Sequence, residues 1–241
     1  MKPISLIGLG KLGLPLTACF AQSGVKVIGI DKEQERITFL REKKTPFYEP
    51  HLDETLLRHI NNVKFSTSTD EAVTESDTTI VLVNTPSSED DRAFSNTHIN
   101  EAIKSCAQSL RDSDKEYHLF IISSTVMPGS CINEFAPIIE NNSGRKLNRG
   151  FGLVHIPDLV ALGSVINDFK NPDLLIVGAS DQKAFEHAMH YYKKLINKET
   201  PIKSMSLTNQ YRLRLNNLMQ HNRIVWLSLV QVKKILLHNL M

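Results

Sequence analysis

The sequence has little of what marks a membrane, secreted or nucleic-acid-binding protein. Its 241 residues include only three cysteines, Cys19, Cys106 and Cys131, too widely spaced to predict a disulfide framework or a zinc site. No stretch approaches the roughly 20 consecutive apolar residues of a membrane-spanning helix. A formal net charge of +2 is too small to indicate nucleic acid or a membrane as the main partner. We therefore expect a cytoplasmic, reduced protein without a metal site.

Short apolar runs alternate with amphipathic stretches along most of the chain. The pattern predicts strands at 4–7, 25–30, 63–65, 79–83, 118–122, 152–155 and 174–177. It predicts helices at 14–22, 33–42, 52–60, 70–75, 99–110, 132–140 and 181–197. Such alternation is typical of an α/β fold. We expect a Rossmann-type, doubly wound, largely parallel sheet over residues 1–203, with a C-terminal helical tail at 204–241.

The tail differs in composition from the rest of the chain. No acidic residue follows Glu199, leucines are frequent, and the charged residues are Lys203, Arg212, Arg214, Arg223, Lys233 and Lys234. A basic helix packed on a partner subunit or on another part of the protein would explain this, and we expect a homodimer formed through it. A helix on a membrane surface and a tail read out of frame are the alternatives.

A glycine-rich turn separates the first predicted strand from the first predicted helix. Gly8 permits a tight turn, Gly10 lets the backbone approach a pyrophosphate, and Gly13 lets the helix pack closely on the strand. Lys11 and Leu12 complete the turn. The helix that follows offers free N–H groups and a partial positive charge to phosphates. The sequence therefore predicts a dinucleotide site here.

An acidic residue closes the second predicted strand, about 20 residues after the turn, which is the spacing of a ribose-binding acid. Its carboxylate, Asp31, can accept both hydroxyls of an adenosine ribose and would repel a 2′-phosphate. NAD is therefore predicted as the cofactor in preference to NADP. Arg36 could reach back over the adenosine edge, or it could be an ordinary surface arginine.

Four further features resemble one enzyme family, the UDP-glucose/GDP-mannose dehydrogenases. They are the opening at 8–16, the Pro-x-x-Glu-Pro-x-Leu stretch at 46–52, the turns at 83–86 and 123–129, and the stretch at 156–173. The resemblance spans roughly residues 3–200 and is closest to members that act on UDP-N-acetylated sugars. It implies oxidation of a sugar's primary alcohol to a carboxylate with two NAD, as in polysaccharide biosynthesis.

The resemblance also implies that two strand-end turns face the cofactor. Thr85 and Pro86 lie in the first turn, and Ser124 and Thr125 in the second. Ligands of open α/β sheets bind beyond the carboxyl ends of the strands. The hydroxyls of Thr85, Ser124 and Thr125 could therefore hydrogen-bond a nicotinamide ribose or a catalytic water. Simple capping of the turns is the alternative interpretation.

Two acidic residues of the matching segments are candidate site residues. Asp158 follows a proline where the family has a glutamate that handles the water of thioester hydrolysis, and its side chain is one methylene shorter. Together with Thr125, it is a catalytic position that the resemblance carries over, as a vestige. Glu49 is either a site residue or an acid in the first turn of a helix.

The covalent chemistry of the family does not map onto this sequence. There, a cysteine thiolate captures the aldehyde, and the second hydride transfer gives a thioester. Cys19 and Cys106 fall within predicted helices and resemble small buried apolar groups, and the surroundings of Cys131 do not match. The segment at 208–217 has no lysine where the family has one, and its arginines are poor proton shuttles.

These departures define the expected function. We expect the NAD-binding part of a nucleotide-sugar dehydrogenase, without full activity, with a UDP-sugar as a partner only if the family's sugar-binding domain is supplied. A non-enzymatic, NAD-responsive assembly module is one alternative. A different small NAD-dependent dehydrogenase is the other, although no lysine or histidine stands out as its catalytic base.

Overall fold

Strands and helices alternate along residues 2–86 and 94–208, the part of the chain that the computed structural model describes. The strands β1 to β8 are Ile4–Ile7, Val27–Ile30, Val63–Ser66, Thr78–Val81, His118–Ile122, Phe151–His155, Leu175–Ala179 and Ile202–Ser206. The helices α1 to α8 are Gly13–Gln22, Gln34–Arg41, Leu52–Arg58, Thr69–Thr74, Thr97–Arg111, Ala136–Ser143, Val165–Lys170 and Gln182–Leu195. A 3-10 turn, Ile60–Asn62, and a π-helical turn, Cys131–Phe135, complete the set.

The strands form one sheet in the order β3-β2-β1-β4-β5-β6-β7-β8. The pairs from β3 through to β6 are parallel, β7 runs antiparallel to β6, and β8 runs parallel to β7. The chain therefore winds one way from β1 to β3 and the other way from β4 onward. The direction reverses between β1 and β4, where ligands of such sheets bind. The predicted Rossmann-type, largely parallel sheet is confirmed.

The central strands are buried on both faces, which explains their largely apolar sequences. On β5, Leu119 and Ile121 join the core beneath α1, α3, α7 and α8. The intervening Phe120 and Ile122 join the core beneath α4, α5 and α6. Because side chains alternate between the two faces of a strand, the sheet packs against a helical layer on each face. This close packing fixes the positions of the strand ends.

The structure corrects several predicted elements. The helix predicted at 132–140 begins as the π-helical turn Cys131–Phe135 and only then becomes α6. Neither α7 nor β8 was predicted, because α7 has only six residues and the residues of β8 are mostly exposed. The boundary predicted after residue 203 falls inside β8, and the tail beyond residue 208 lies outside the described residues.

A buried chain of polar side chains crosses the amino ends of three central strands. Ser5 Oγ on β1 lies 2.8 Å from Thr79 Oγ1 on β4, which in turn lies 2.8 Å from His118 Nε2 on β5. All three residues are fully buried. Because a charged imidazole would be desolvated there, His118 is held neutral.

The neutral imidazole of His118 makes the stability of the protein sensitive to acid. Burial is the main cause that lowers its pKa to about 3, Lys115 adds to the effect, and Asp77 opposes it. In the unfolded chain the imidazole protonates below about pH 6.5. The unfolded state therefore binds the additional proton, and the free energy of unfolding falls as the pH drops from 6.5 toward 3. We expect this residue to contribute a slope of about 1.4 kcal/mol per pH unit.

Denaturant unfolding between pH 7 and pH 4 measures this slope. His118→Gln is expected to lower stability at pH 7, where a hydrogen bond is lost, and to flatten the slope below pH 6.5. His98→Gln is the control, since its side chain is 39% exposed. Equal slopes for the wild type and His118→Gln would contradict the assignment.

Candidate cofactor site

The glycine-rich turn between β1 and α1 has no room for side chains at its first and last glycines. Gly8 has a φ of +100°, and a Cβ there would lie 2.2 Å from the carbonyl oxygen of Leu82. A Cβ on Gly13 would lie 1.8 Å from the carbonyl oxygen of Gly8. The turn is therefore folded back on itself and pressed against the end of β4, as the sequence predicted.

The middle glycine of the turn has a different environment. A Cβ on Gly10 would meet no atom within 4 Å, so the fold does not require glycine there. The space lies beside the N-terminus of α1, whose first turn has no acidic residue. Exposed Lys11 adds positive charge, whereas half-buried Leu12 packs on the core. This cradle fits a pyrophosphate held by helix N–H groups.

Asp31 ties the end of β2 to the glycine-rich turn. Its carboxylate is buried and accepts hydrogen bonds from the N–H of Leu9 at 2.8 Å and the N–H of Glu33 at 3.0 Å. Arg36 Nη1 lies 2.6 Å from Asp31 Oδ2. The structure thus places Arg36 against the predicted ribose-binding acid, and the two side chains form one charged pair at the carboxyl end of β2.

The strand-end hydroxyls differ in their surroundings. Ser124 Oγ accepts the N–H of Val83 at 2.9 Å and donates to the carbonyl of Val83 at 2.8 Å, and the residue is buried. This hydroxyl bridges the ends of β4 and β5, which favours the capping interpretation. Thr125 and Thr85 are half-buried and Pro86 is exposed, so the two threonines are the better candidates for contact with a ligand.

Asp158 lies just beyond the carboxyl end of β6. Its Oδ2 is buried, and no residue in the described part of the chain hydrogen-bonds to it. Burial raises the pKa of Asp158 well above its ordinary value. Tyr192 on α8 is a neighbour of this residue, and its Oη lies 3.5 Å from Ser123 Oγ. Burial raises the pKa of Tyr192, and a charge on Asp158 adds to this effect. A carboxyl whose pKa is raised takes up a proton more readily, and in that form it can donate a hydrogen bond or a proton.

Glu49 lies outside the helix that the sequence considered for it. Helix α3 begins at Leu52, and its first-turn acids are Asp53 and Glu54. Glu49 is buried, with both carboxylate oxygens directed at the segment between β6 and α7. The alternative of a first-turn helix acid is therefore wrong.

One polar cluster at this edge of the sheet was missed by the sequence analysis. Glu134 in the π-helical turn accepts hydrogen bonds from Asn96 Nδ2 and Asn100 Nδ2, each at 2.6 Å. The cluster fixes the turn after β5 to the start of α5. Glu134 was hidden from pattern reasoning because the inserted residue of a π-turn shifts the helical register.

Cys19 and Cys106 have the buried environments that the sequence predicted for them. Burial raises the pKa of the Cys19 and Cys106 thiols to about 12, and Cys131 is also buried. None forms a disulfide.

Within residues 2–86 and 94–208, no group of three or more His, Cys, Asp or Glu side chains could hold a metal ion. No helix in that part of the chain is long and apolar enough to cross a membrane.

The strand order, the glycine-rich turn and the acid that closes β2 define a dinucleotide-binding Rossmann protein. The chain belongs to the UDP-glucose/GDP-mannose dehydrogenase family, whose NAD binding domain matches residues 2–196. NAD is therefore the cofactor of this domain. The resemblance stated from the sequence is confirmed.

Individual relatives agree with this assignment. The UDP-glucose 6-dehydrogenase of Haloferax volcanii is 28% identical over 195 residues, which cover 81% of this chain and 45% of that protein. The GDP-mannose 6-dehydrogenase of Pseudomonas putida is 30% identical over 194 residues, covering 80% and 44%. The chain thus spans a little under half the length of these curated relatives.

Solved structures show the same likeness. The ternary complex of GDP-mannose dehydrogenase from Pseudomonas aeruginosa superposes with a TM-score of 0.83 at 26% identity, covering 92% of this chain and 50% of that one. The UDP-D-ManNAc dehydrogenase of Pyrococcus horikoshii gives a TM-score of 0.78 at 26% identity, covering 89% and 49%.

Proposed function

We propose that this chain is the NAD-binding half of a nucleotide-sugar 6-dehydrogenase, an enzyme that oxidises a sugar's primary alcohol to a carboxylate. The observation that carries the proposal is the glycine-rich turn before α1. A Cβ on Gly10 would meet no atom within 4 Å there, and Asp31 accepts the N–H of the neighbouring Leu9. The names of the relatives, UDP-glucose 6-dehydrogenase and GDP-mannose 6-dehydrogenase, support this reaction class.

The residues around this turn would hold NAD in an extended arrangement across β2, β1 and β4. The backbone at 8–13 and the N-terminus of α1 bind the pyrophosphate. Asp31 accepts the hydroxyls of the adenosine ribose, with Arg36 beside it. Thr85 and Thr125, at the ends of β4 and β5, orient the nicotinamide ribose. NAD, when bound, supplies the hydride acceptor.

Asp158 is the proton-handling group of this proposal. Because burial raises the pKa of Asp158 well above its ordinary value, its carboxyl takes up a proton more readily than that of an exposed aspartate. In that form it can donate a hydrogen bond to a substrate oxygen or exchange a proton with a water molecule at the end of β6. Its shorter side chain reaches less far than the glutamate that the family resemblance implies. We therefore assign it a residual role.

The thiolate step is the part of the reaction that the described residues do not support. A thiol acts as a nucleophile only when ionised, and burial raises the pKa of Cys19 and Cys106 to about 12. We propose that the thiolate and the sugar-binding domain are supplied from outside these residues, and that this chain alone binds NAD without completing the oxidation. A reducing, cytoplasmic location and a dimer contact through the basic tail remain our predictions.

Incubation with NAD and a nucleotide sugar tests this proposal. We expect the purified chain to bind NAD but to produce no NADH with UDP-glucose, GDP-mannose or UDP-N-acetylmannosamine, because in this proposal the domain that holds the sugar against the nicotinamide is supplied from outside these residues. NADH absorbance measures turnover, and the same assay with a full-length relative is the positive control. Sustained NADH formation by this chain alone would contradict the proposal. Dimerisation without NAD affinity would favour the assembly module.

A further inference from the structure

Glu49 is a buried acid whose partners in the described part of the chain are backbone N–H groups. Glu49 Oε2 lies 3.0 Å from the N of Gly163, and Oε1 lies 3.2 Å from the same nitrogen and 3.0 Å from the N of Val165. These partners are 114 and 116 residues away along the chain. Charge-assisted hydrogen bonds of this kind are roughly twice as strong as neutral ones, so the contact is a firm tether between distant segments.

The tethered segment, residues 156–165, also carries Asp158. At one end, the N–H of Ile156 donates to the carbonyl of Ile122 on β5 at 3.0 Å. At the other end, Gly163 and Val165 are held by Glu49. The segment is thus fixed at both ends, with the Asp158 side chain between them and its Oδ2 buried.

An internal network folds the same segment into a closed loop. Asp168 Oδ2 accepts the N–H of Ala161 at 3.0 Å and the hydroxyl of Ser164 at 2.9 Å. Gly163, with a φ of +94°, allows the backbone to turn so that its N–H points at Glu49. The loop therefore has a defined shape, and the Glu49 carboxylate joins it to the 46–52 stretch.

We propose that Glu49 is a positioning residue for Asp158: by holding Gly163 and Val165, it keeps the 156–165 segment closed and the Asp158 carboxyl buried at the end of β6. This inference rests on the proposed function only in giving Asp158 its proton-handling role. It assigns to the glutamate of the Pro-x-x-Glu-Pro-x-Leu stretch a specific effect on a candidate catalytic group.

The substitution Glu49→Gln removes the charge with little change of shape. Whichever way the amide is oriented, one end becomes an NH₂ donor, and the Gly163 N–H lies within 3.2 Å of both carboxylate oxygens. Donor would then face donor, and the tether would weaken. Glu54→Gln is the matched control, because Glu54 is exposed on α3 and pairs with Arg58 one turn away.

Two measurements on the NAD-free protein test the inference. Hydrogen exchange at the amides of Gly163 and Val165 is expected to become on the order of tenfold faster in Glu49→Gln, the effect of losing about one charged hydrogen bond. Carboxyl ¹³C NMR is expected to show the Asp158 pKa moving toward its ordinary value, because the opened segment admits water. Glu54→Gln should change neither quantity.

A purely structural tether would give a different result. If exchange at the two amides quickens while the Asp158 pKa stays at its wild-type value, Glu49 does not position Asp158 and the inference is overturned. Should Glu49→Gln fail to fold, Glu49→Asp keeps the charge at shorter reach, and an Asp158 pKa unchanged in that variant would overturn it equally. Because the test uses no nucleotide, a failure of NAD binding would bear on the proposed function alone.

Discussion

Gly13→Ala is expected to destabilise the protein by about 3 kcal/mol or more, the range of severe overpacking. The added methyl would lie 1.8 Å from the carbonyl oxygen of Gly8. Both partners are backbone, so no side-chain rotation can relieve the clash, and the glycine-rich turn would have to move off the sheet. Denaturant or thermal unfolding measures the loss.

Gly10→Ala is the matched substitution, with the opposite expected result. A Cβ on Gly10 meets no atom within 4 Å, so stability should stay within about 0.5 kcal/mol of the wild type. The methyl occupies the space that we assign to the pyrophosphate. NAD affinity should therefore fall by about tenfold or more, because an added methyl in a close contact costs at least about 1.4 kcal/mol.

The contrast between these two variants separates folding from binding. Wild-type stability of Gly13→Ala would contradict the packing of the turn. Wild-type NAD affinity of Gly10→Ala would contradict the position of the pyrophosphate, whatever the outcome for Gly13→Ala.

Asp31→Ala is expected to lower NAD affinity by on the order of 100-fold, the loss of about two hydrogen bonds to a charged acceptor. It removes the acceptor for the ribose hydroxyls and also the acceptor of the Leu9 N–H, which holds the glycine-rich turn. It also frees Arg36 from its ion pair, so the affinity for NADP relative to NAD should rise, because a guanidinium binds a 2′-phosphate well. Calorimetric titration with each nucleotide measures both effects.

Glu33→Ala is the control for charge. Glu33 is exposed and lies two residues after Asp31, and only its backbone N–H contacts the Asp31 carboxylate. Removal of this carboxylate should leave NAD affinity within a factor of about two, because an exposed charge that makes no direct contact with the ligand contributes little. An equal loss in the two variants would show that general charge, not the Asp31 contact, governs binding.

Much of the fold could be predicted because its signals are local. Strand β5, His118–Ile122, has the predicted bounds, since its last four residues form the apolar run that is typical of a strand buried on both faces. The glycine-rich turn could be predicted because Gly8, Gly10 and Gly13 lie within six residues of each other, directly after the first strand. By contrast, β8 contains Lys203 and two serines with mostly exposed side chains, so it has no apolar pattern.

The site could be predicted only in part, because several contacts join distant residues. The sequence leaves Ser124 between contact with the cofactor and capping of its turn, and its hydroxyl bonds the backbone of Val83, 41 residues away. The sequence does not decide whether Glu49 is a site residue or a helix acid, because its partners lie more than 100 residues further on. The burial of Asp158 depends on how this segment packs, which no local pattern shows.

Calorimetric titration of the purified chain with NAD tests the central claim most directly. The account predicts saturable binding of one NAD per chain, weakened by Asp31→Ala and by Gly10→Ala. No binding at millimolar NAD, from a chain with a cooperative unfolding transition, would contradict it and would leave a Rossmann fold that serves another purpose.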